Sequence, residues 1–212
     1  MINHDKTEQY IISRTGSEDW KKCKLLGSCL GTPEDIKRRK VLAISAAKNL
    51  KPLFSNKKIW TPTKSRLFDA YISSVFLYNA STWTLTQTLE NQIDAFQRKM
   101  IRINVLNVKW PKKMSNLDTY RLSRIQPWSV KIKKQRMNWF GHVARMHPDT
   151  PAKKALAFAR AEYKKPRGRP KERWIDQMNK QLDHEFNLSW EEGENLAANR
   201  ATWRQLVKGK YG

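Results

Sequence analysis

Apolar residues in the first 31 positions fall into two short runs, Tyr10-Ile11-Ile12 and Leu25-Leu26-Gly27-Ser28-Cys29-Leu30, separated by a polar turn from Ser13 to Asp19. This pattern predicts two short strands around a turn. An isolated hairpin is marginal in water, so residues 1–31 need a partner sheet that the rest of the chain does not supply, and they are expected to be poorly ordered or loosely docked. From Thr32 the spacing turns helical. Thr32-Pro33-Glu34-Asp35 has the form of a helix start, with Thr32 as N-cap, Pro33 at the first position and two acids on the positive end of the dipole. Ile36, Ala43, Ala47, Leu50 and Phe54 then recur as one apolar stripe, which leaves Lys37, Arg38 and Lys48 on the other side.

A Ser-Asn-Lys-Lys break leads to Trp60 and Thr61-Pro62, where a second helix is predicted with Leu67, Tyr71, Ser74, Val75 and Tyr78 on its inner face. A third helix starts at Thr86; Leu89, Ile93, Phe96, Met100 and Ile103 give the cleanest amphipathic pattern in the chain. Together these helices predict a compact bundle. Lys109 to Lys113 form a basic loop around Trp110-Pro111, Ser115 to Arg124 a short helix, and Pro127 opens a longer one with Trp128, Ile132, Trp139 and Val143 on one face. Lys131, Lys133, Lys134 and Arg136 lie elsewhere on that helix, and Lys133 and Lys134, with Lys37, Arg38 and Lys48 of the first helix, are candidate nucleic-acid contacts. A short Ala-rich helix from Asp149 runs into Lys164-Lys165-Pro166-Arg167-Gly168-Arg169-Pro170-Lys171, too rich in Pro, Gly and charge for an element interior. Two closing helices are predicted, one with Trp174, Met178 and Leu182, the other begun by the capping box Ser189-x-x-Glu192 and burying Leu196, Trp203 and Val207. The fold class is therefore mainly α, with a short β-hairpin first.

Charge changes the picture from architecture to partners. With 42 Lys and Arg against 19 Asp and Glu, the net charge is +23, a field that repels itself unless an anion is near. Nucleic acid outranks membrane as that anion, because no amphipathic anchor accompanies the charge and no run of roughly 18 apolar residues exists. Cys23 and Cys29 have no C-x-x-C spacing, and His4, His142, His147 and His184 are scattered, so neither a disulfide scaffold nor a zinc knuckle is expected. The chain is expected to be intracellular, with nuclear location following from its partner.

Several constellations have chemistry to offer. Trp110 among Lys109, Lys112 and Lys113 suits stacking on unpaired bases, whereas Trp139 and Trp203 are assigned to packing. Pro166-Arg167-Gly168-Arg169-Pro170 coincides with the core of an AT-hook, in which the arginines follow a narrow minor groove. The nearby Glu172 and Trp174 suit instead an ordered loop whose arginines, with Lys171 and Arg173, contact phosphates. Glu191, Glu192 and Glu194 admit a metal-dependent nuclease, but their place in a first helical turn is explained by dipole compensation. Gly27 allows a close backbone approach or a positive φ.

Asn-x-x-Lys-Thr-Glu at positions 3 to 8, Leu-Leu-Gly-Ser at 25 to 28, Asn-Trp-Phe-Gly-His at 138 to 142 and Arg-Gly-Arg-Pro-x-x-Arg-Trp at 167 to 174 stand in one order. In that order they resemble the C-terminal part of reverse transcriptases of non-LTR (LINE-like) retrotransposons. The resemblance implies a palm remnant with a primer-grip-like hairpin at 1–31, a thumb-like bundle at 32–108 and a basic helical extension at 109–212. It implies that Lys6 matches the lysine near the incoming nucleotide's phosphates, and that Leu26, Gly27 and Ser28 contact the primer backbone. No aromatic-x-Asp-Asp tetrapeptide occurs in the chain, so no complete catalytic set is expected. Metal-dependent polymerisation needs carboxylates holding two ions, so bound Mg2+ would require palm sequence upstream of Met1, and this chain carries no cofactor of its own. The expected function is binding of RNA, DNA or a template–primer duplex by a polymerase fragment inactive alone, with the upstream polymerase region or a ribonucleoprotein as further partners. The alternatives are a stand-alone helical nucleic-acid-binding protein and a nuclease.

Overall fold

The computed structural model describes residues 19–109, 111–161 and 172–212. A 3-10 turn (Asp19–Lys22) precedes a two-stranded antiparallel hairpin, β1 (Lys24–Leu25) and β2 (Ser28–Cys29), in which Leu25 pairs with Ser28. The remaining regular structure is helical: α1 (Thr32–Asn49), α2 (Lys51–Ser55), α3 (Thr61–Leu67), α4 (Ser74–Phe76), α5 (Gln87–Met100), α6 (Asn116–Ser123), α7 (Trp128–Ala144), α8 (Pro151–Ala161), α9 (Trp174–Phe186), α10 (Trp190–Ala198) and α11 (Arg200–Tyr211). π-Helical turns at Phe68–Ser73 join α3 to α4, and others at Ile101–Val105 continue α5. The mainly α class with a leading hairpin holds.

Most predicted starts hold for the predicted reason. Thr86 caps α5 by accepting from the Leu89 amide, Ser115 caps α6 in the same way, and the Ser189–Glu192 capping box is formed in both directions. The first helix differs. Its N-cap is Gly31, and the Thr32 hydroxyl instead accepts from the Thr84 amide at 3.2 Å. The end of the chain also differs, because Asn199 breaks the last predicted helix in two, its side chain accepting from the Ala201 and Thr202 amides at the start of α11.

The inner face of the second predicted helix is shifted. Lys64, Phe68, Ile72 and Phe76 face inward, while Tyr71, Ser74 and Tyr78 are exposed and Leu67 and Val75 half-buried. The π-turns explain this: they bond i to i+5, so a wider winding brings residues four apart, turn after turn, onto one line. After Met100 the same winding turns Ile101 and Val105 inward and leaves Ile103 exposed.

Two cores result. The first is centred on Trp128, fully buried, stacked on Phe76 at 4.1 Å and 12° and within 6.0 Å of the Phe68 and Phe96 rings. Its indole N–H donates to the Ser73 hydroxyl at 2.9 Å and its backbone N–H to the Gln97 side chain at 2.8 Å, so burial leaves neither donor unpaired. The second gathers Met137, Phe140, Met178, Leu182, Trp190 and Trp203, with Phe140 edge-on to Trp190 at 5.0 Å. Gly141 is required here for a close approach, since a Cβ at that position would collide with the Trp203 indole. Helix α7 supplies Trp128 and Ile132 to the first core and Met137 and Phe140 to the second. Trp203 packs as expected, whereas Trp139 is 37% exposed, its ring 5.5 Å from that of His142.

Candidate nucleic-acid interface

The hairpin is joined to α1 by a charged cluster. Leu26 and Gly27 form its two-residue turn with φ of 48° and 82°, the doubly left-handed turn that matches strand twist in short hairpins. Gly27 meets that demand without cost, and Leu26 does not. The Gly27 carbonyl accepts from the guanidinium groups of Arg38 and, at 2.7 Å, Arg39, and the Leu26 carbonyl accepts from the Tyr78 hydroxyl at 3.0 Å. Arg39 also donates to the Ser28 hydroxyl at 2.9 Å and lies 4.5 Å from the centre of the Tyr78 ring. Beneath it Asp35, fully buried, accepts from the Cys29 amide and the Trp83 indole, each at 2.9 Å, and pairs with Arg39 at 3.6 Å. The observed hairpin is formed at the second expected run alone, and the first, Tyr10-Ile11-Ile12, lies outside the described residues. Residues 24–29 are fastened to the first core by a buried ion pair inside a helix, in contrast to the loose docking expected of residues 1–31.

This docking sets which atoms face outward. Ser28 is buried, whereas the Leu26 side chain at the tip is 86% exposed. Along α1 the outward positions Lys37, Val41, Ile44 and Lys48 follow each other at intervals of 4, 3 and 4, which puts them on one face. Val41 is 66% exposed, and Ile44 and Lys48 border a shallow groove of about 310 Å³ with Lys51, Met100 and Ile103. Between Asp35 and Asp69 the chain contains ten Lys and Arg and no acid. Of these only Arg39 has an ion-pair partner among the described residues, its neighbour Asp35.

In the second half the basic residues of α11, Arg200, Arg204, Lys208 and Lys210, are likewise exposed without an ion-pair partner among the described residues, but those of α7 to α9 are placed differently. Lys133 pairs with Glu185 at 2.9 Å, Lys134 donates to the Tyr211 carbonyl at 3.3 Å, and Lys153 pairs with Glu194 at 3.0 Å. Arg160 pairs with Glu191 and Glu194, and Lys180 with Glu172. Arg173, at the start of α9, donates to Asp176 and to the Ala159 carbonyl, both at 3.0 Å. Arg136 is buried and donates to the Trp83 carbonyl at 3.1 Å. Glu191, Glu192 and Glu194 go to Arg160, the Ser189 amide and Lys153, so each acid of that cluster has its own partner.

A polar cleft of about 350 Å³ lies between α5, α7 and α9, lined by Glu90, Lys133, Arg136, Glu172, Lys180 and Glu185 among others. Its three cations and three carboxylates balance. Burial raises Glu90 above the usual carboxylate range against the pull of Lys133 and Arg136, and the hydrogen bond from Lys180 holds Glu172 below it. Such a compensated cleft offers no net field to a polyanion.

The structure therefore groups Leu26, Gly27, Ser28 and Arg38 at one end of α1 and puts Lys37 and Lys48 along it. Lys109, Lys112 and Lys113 are exposed in a loop beyond the first core, and Lys133, Lys134 and Arg173 lie in the second half with internal partners. Lys6, Trp110, Arg167, Gly168, Arg169 and Lys171 lie outside the described residues. Missed from the sequence are Val41 and Ile44, apolar residues on the cationic face of α1, and Trp60, 80% exposed beside Lys57 and Lys58. The signal for Trp60 was present: an aromatic in a basic break between helices.

No helix among the described residues is long and apolar enough to cross a membrane. No family model and no solved structure matches the chain. A transposon-derived protein of Caenorhabditis elegans is 22% identical over 187 residues, which cover 83% of this chain and 64% of that relative. The chain thus spans less than two thirds of the relative's length, and the likeness points to a transposable-element origin.

Proposed function

We propose that this chain is the C-terminal part of a LINE-like reverse transcriptase, and that it grips a nucleic-acid duplex rather than carrying out polymerisation. The observation that carries this reading is the outward face of α1. Apolar Val41 and Ile44, flanked by Lys37 and Lys48, offer a stripe for a groove floor with a cation at each end for phosphates. The hairpin tip is held by Arg38 and Arg39 on the same helix, beside that face, and is read as primer-grip-like. The order of motifs along the chain and the transposon-derived relative support the same origin.

The residues for the reaction itself are not in this chain, which has no aromatic-x-Asp-Asp tetrapeptide. Its contribution is positional: cations neutralise phosphates, the hairpin fixes the strand register, and the second core supports the bundle. In this reading residues 32–108 act as thumb, 109–212 as extension, and the setting is nuclear. Titrating labelled DNA duplex, RNA–DNA hybrid and RNA against rising salt tests it. Duplex binding that weakens steeply with salt, without primer extension in magnesium, is the expected result; extension by this chain alone would overturn it. A stand-alone binding protein is the second reading, favoured by the internal pairs Lys133–Glu185, Lys153–Glu194 and Lys180–Glu172, which hold α7 to α10 together without an outside partner.

A further inference from the structure

Beyond the far end of α1 the structure brings a second basic cluster together. The carbonyl of Phe54, at the end of α2, accepts from the Lys64 ammonium at 2.6 Å and from the Asn107 amide at 3.2 Å. This one oxygen ties the break at residues 56–60 to the start of the loop at 107–114. A second tie, from the Ser65 hydroxyl to the Ser123 carbonyl at 2.7 Å, holds α3 against the end of α6. The two loops contribute Lys57, Lys58, Lys109, Lys112 and Lys113, all exposed and none with an ion-pair partner among the described residues. Trp60 stands in the first loop, at the N-cap of α3, with its ring held away from the core.

An indole 80% exposed to water leaves a broad apolar face open to a partner. Its surroundings say what that partner is. Lysines without acids attract a phosphate chain, and a flat aromatic among cations is the arrangement on which unpaired bases stack. Double-stranded nucleic acid cannot use the ring, because its bases are already stacked on one another. The geometry points to Trp60 as a stacking platform for unpaired bases, with Lys57, Lys58 and the lysines of the 107–114 loop holding the phosphates of the same single strand.

This inference rests on the gripping function proposed above and adds to it a second ligand form. The 18 residues of α1 span about 27 Å at 1.5 Å per residue, roughly eight base steps at 3.4 Å. The hairpin tip is held by Arg38 and Arg39 in the first half of α1, and the groove beside Ile44 and Lys48 runs on to Phe54 and Asn107, where the two basic loops are tied. A duplex lying along α1 would therefore meet those loops where its strands part. The site therefore recognises a duplex-to-single-strand junction.

The test measures binding of a blunt duplex and of the same duplex with a 5′ or a 3′ unpaired overhang, by anisotropy, to the full chain and to its Trp60→Ala, Trp60→Phe and Lys57→Ala/Lys58→Ala variants. The wild type should bind one overhang form on the order of tenfold tighter than the blunt duplex. Trp60→Ala should erase that advantage while leaving blunt-duplex affinity unchanged, and Trp60→Phe should keep most of it. The lysine pair should lower overhang binding with a shallower salt dependence. Trp60 is exposed, so its replacement should leave the circular dichroism spectrum intact. Equal losses on blunt and overhang forms, an overhang advantage that survives Trp60→Ala, or no overhang advantage in the wild type would each overturn the proposal while sparing the gripping function. Failure of the wild type to bind any duplex would sink both.

Discussion

Helices α7 to α9 and helix α1 handle positive charge differently. Along α7, α8 and α9 the described lysines and arginines meet a carboxylate or a carbonyl, as Lys133 does on Glu185, Lys153 on Glu194, Arg160 on Glu191 and Lys180 on Glu172. Arg200, Arg204, Lys208 and Lys210 of α11, by contrast, are exposed with no ion-pair partner among the described residues. Around the first core, the stretch from Asp35 to Asp69 has no internal acid, and its lysines other than Lys64 and the half-buried Lys40, which lies over the Phe96 ring, face outward. The net charge is thus partly paired within the fold and partly left exposed, on α1, in the two basic loops and on α11. A basic composition locates nothing by itself; the distribution of acids does.

The comparison can be broken most sharply through the cores. Trp128→Ala removes a fully buried, stacked indole and should cost about 3–5 kcal/mol, read from urea unfolding. Because α7 serves both cores, the loss should appear in probes of both; a transition confined to the first half would show that the halves fold separately. Gly141→Ala should cost roughly 1–3 kcal/mol through overpacking against Trp203. It should leave the α1 face able to bind, so a matching loss of duplex affinity in a still-folded protein would contradict the division of roles.

Charge variants probe the comparison directly. Lys37→Ala with Lys48→Ala should reduce the salt slope of duplex binding by about 1.8, at about 0.9 for each phosphate no longer neutralised. Lys133→Ala with Lys134→Ala should leave that slope unchanged and lower stability by about 1 kcal/mol. Equal slopes for the two pairs would erase the distinction.

The smallest effect is a pH dependence. Burial raises Glu90, so the folded state holds its proton more tightly than the unfolded chain does. Its contribution therefore falls as pH rises through the raised value, and returns in full below the unfolded value. Glu90→Gln should flatten the stability profile in that acidic window, as thermal melts at several pH values would show; an unchanged profile would mean the carboxylate is effectively solvated.

Helix starts were legible because caps act locally: Thr86, Ser115 and Ser189 need only the amides two or three residues ahead. The inner face around Phe68, Ile72 and Phe76 was not, since a 3.6-residue period cannot anticipate where a helix widens. The docked hairpin was illegible for another reason. Asp35 and Arg39 look like ordinary dipole compensation and a surface cation along the chain, and become an anchor only when Trp83 and Gly27 arrive from elsewhere. Lys133, Lys134 and Arg173 were selected by charge alone, and their carboxylate and carbonyl partners are distant in sequence, except for Asp176 beside Arg173.

The sharing of α7 between the cores limits how such a chain can be shortened as it is copied and passed on. A deletion entering from the C-terminal side strips the first core once it reaches Ile132 and Trp128, even though the cationic face of α1 ends at Lys48, 80 residues before Trp128. Without α7 the ring on which Phe68, Phe76 and Phe96 converge is gone. Surviving descendants of such a sequence should therefore keep the two halves together or lose both, so that what folds as two cores is inherited as one unit.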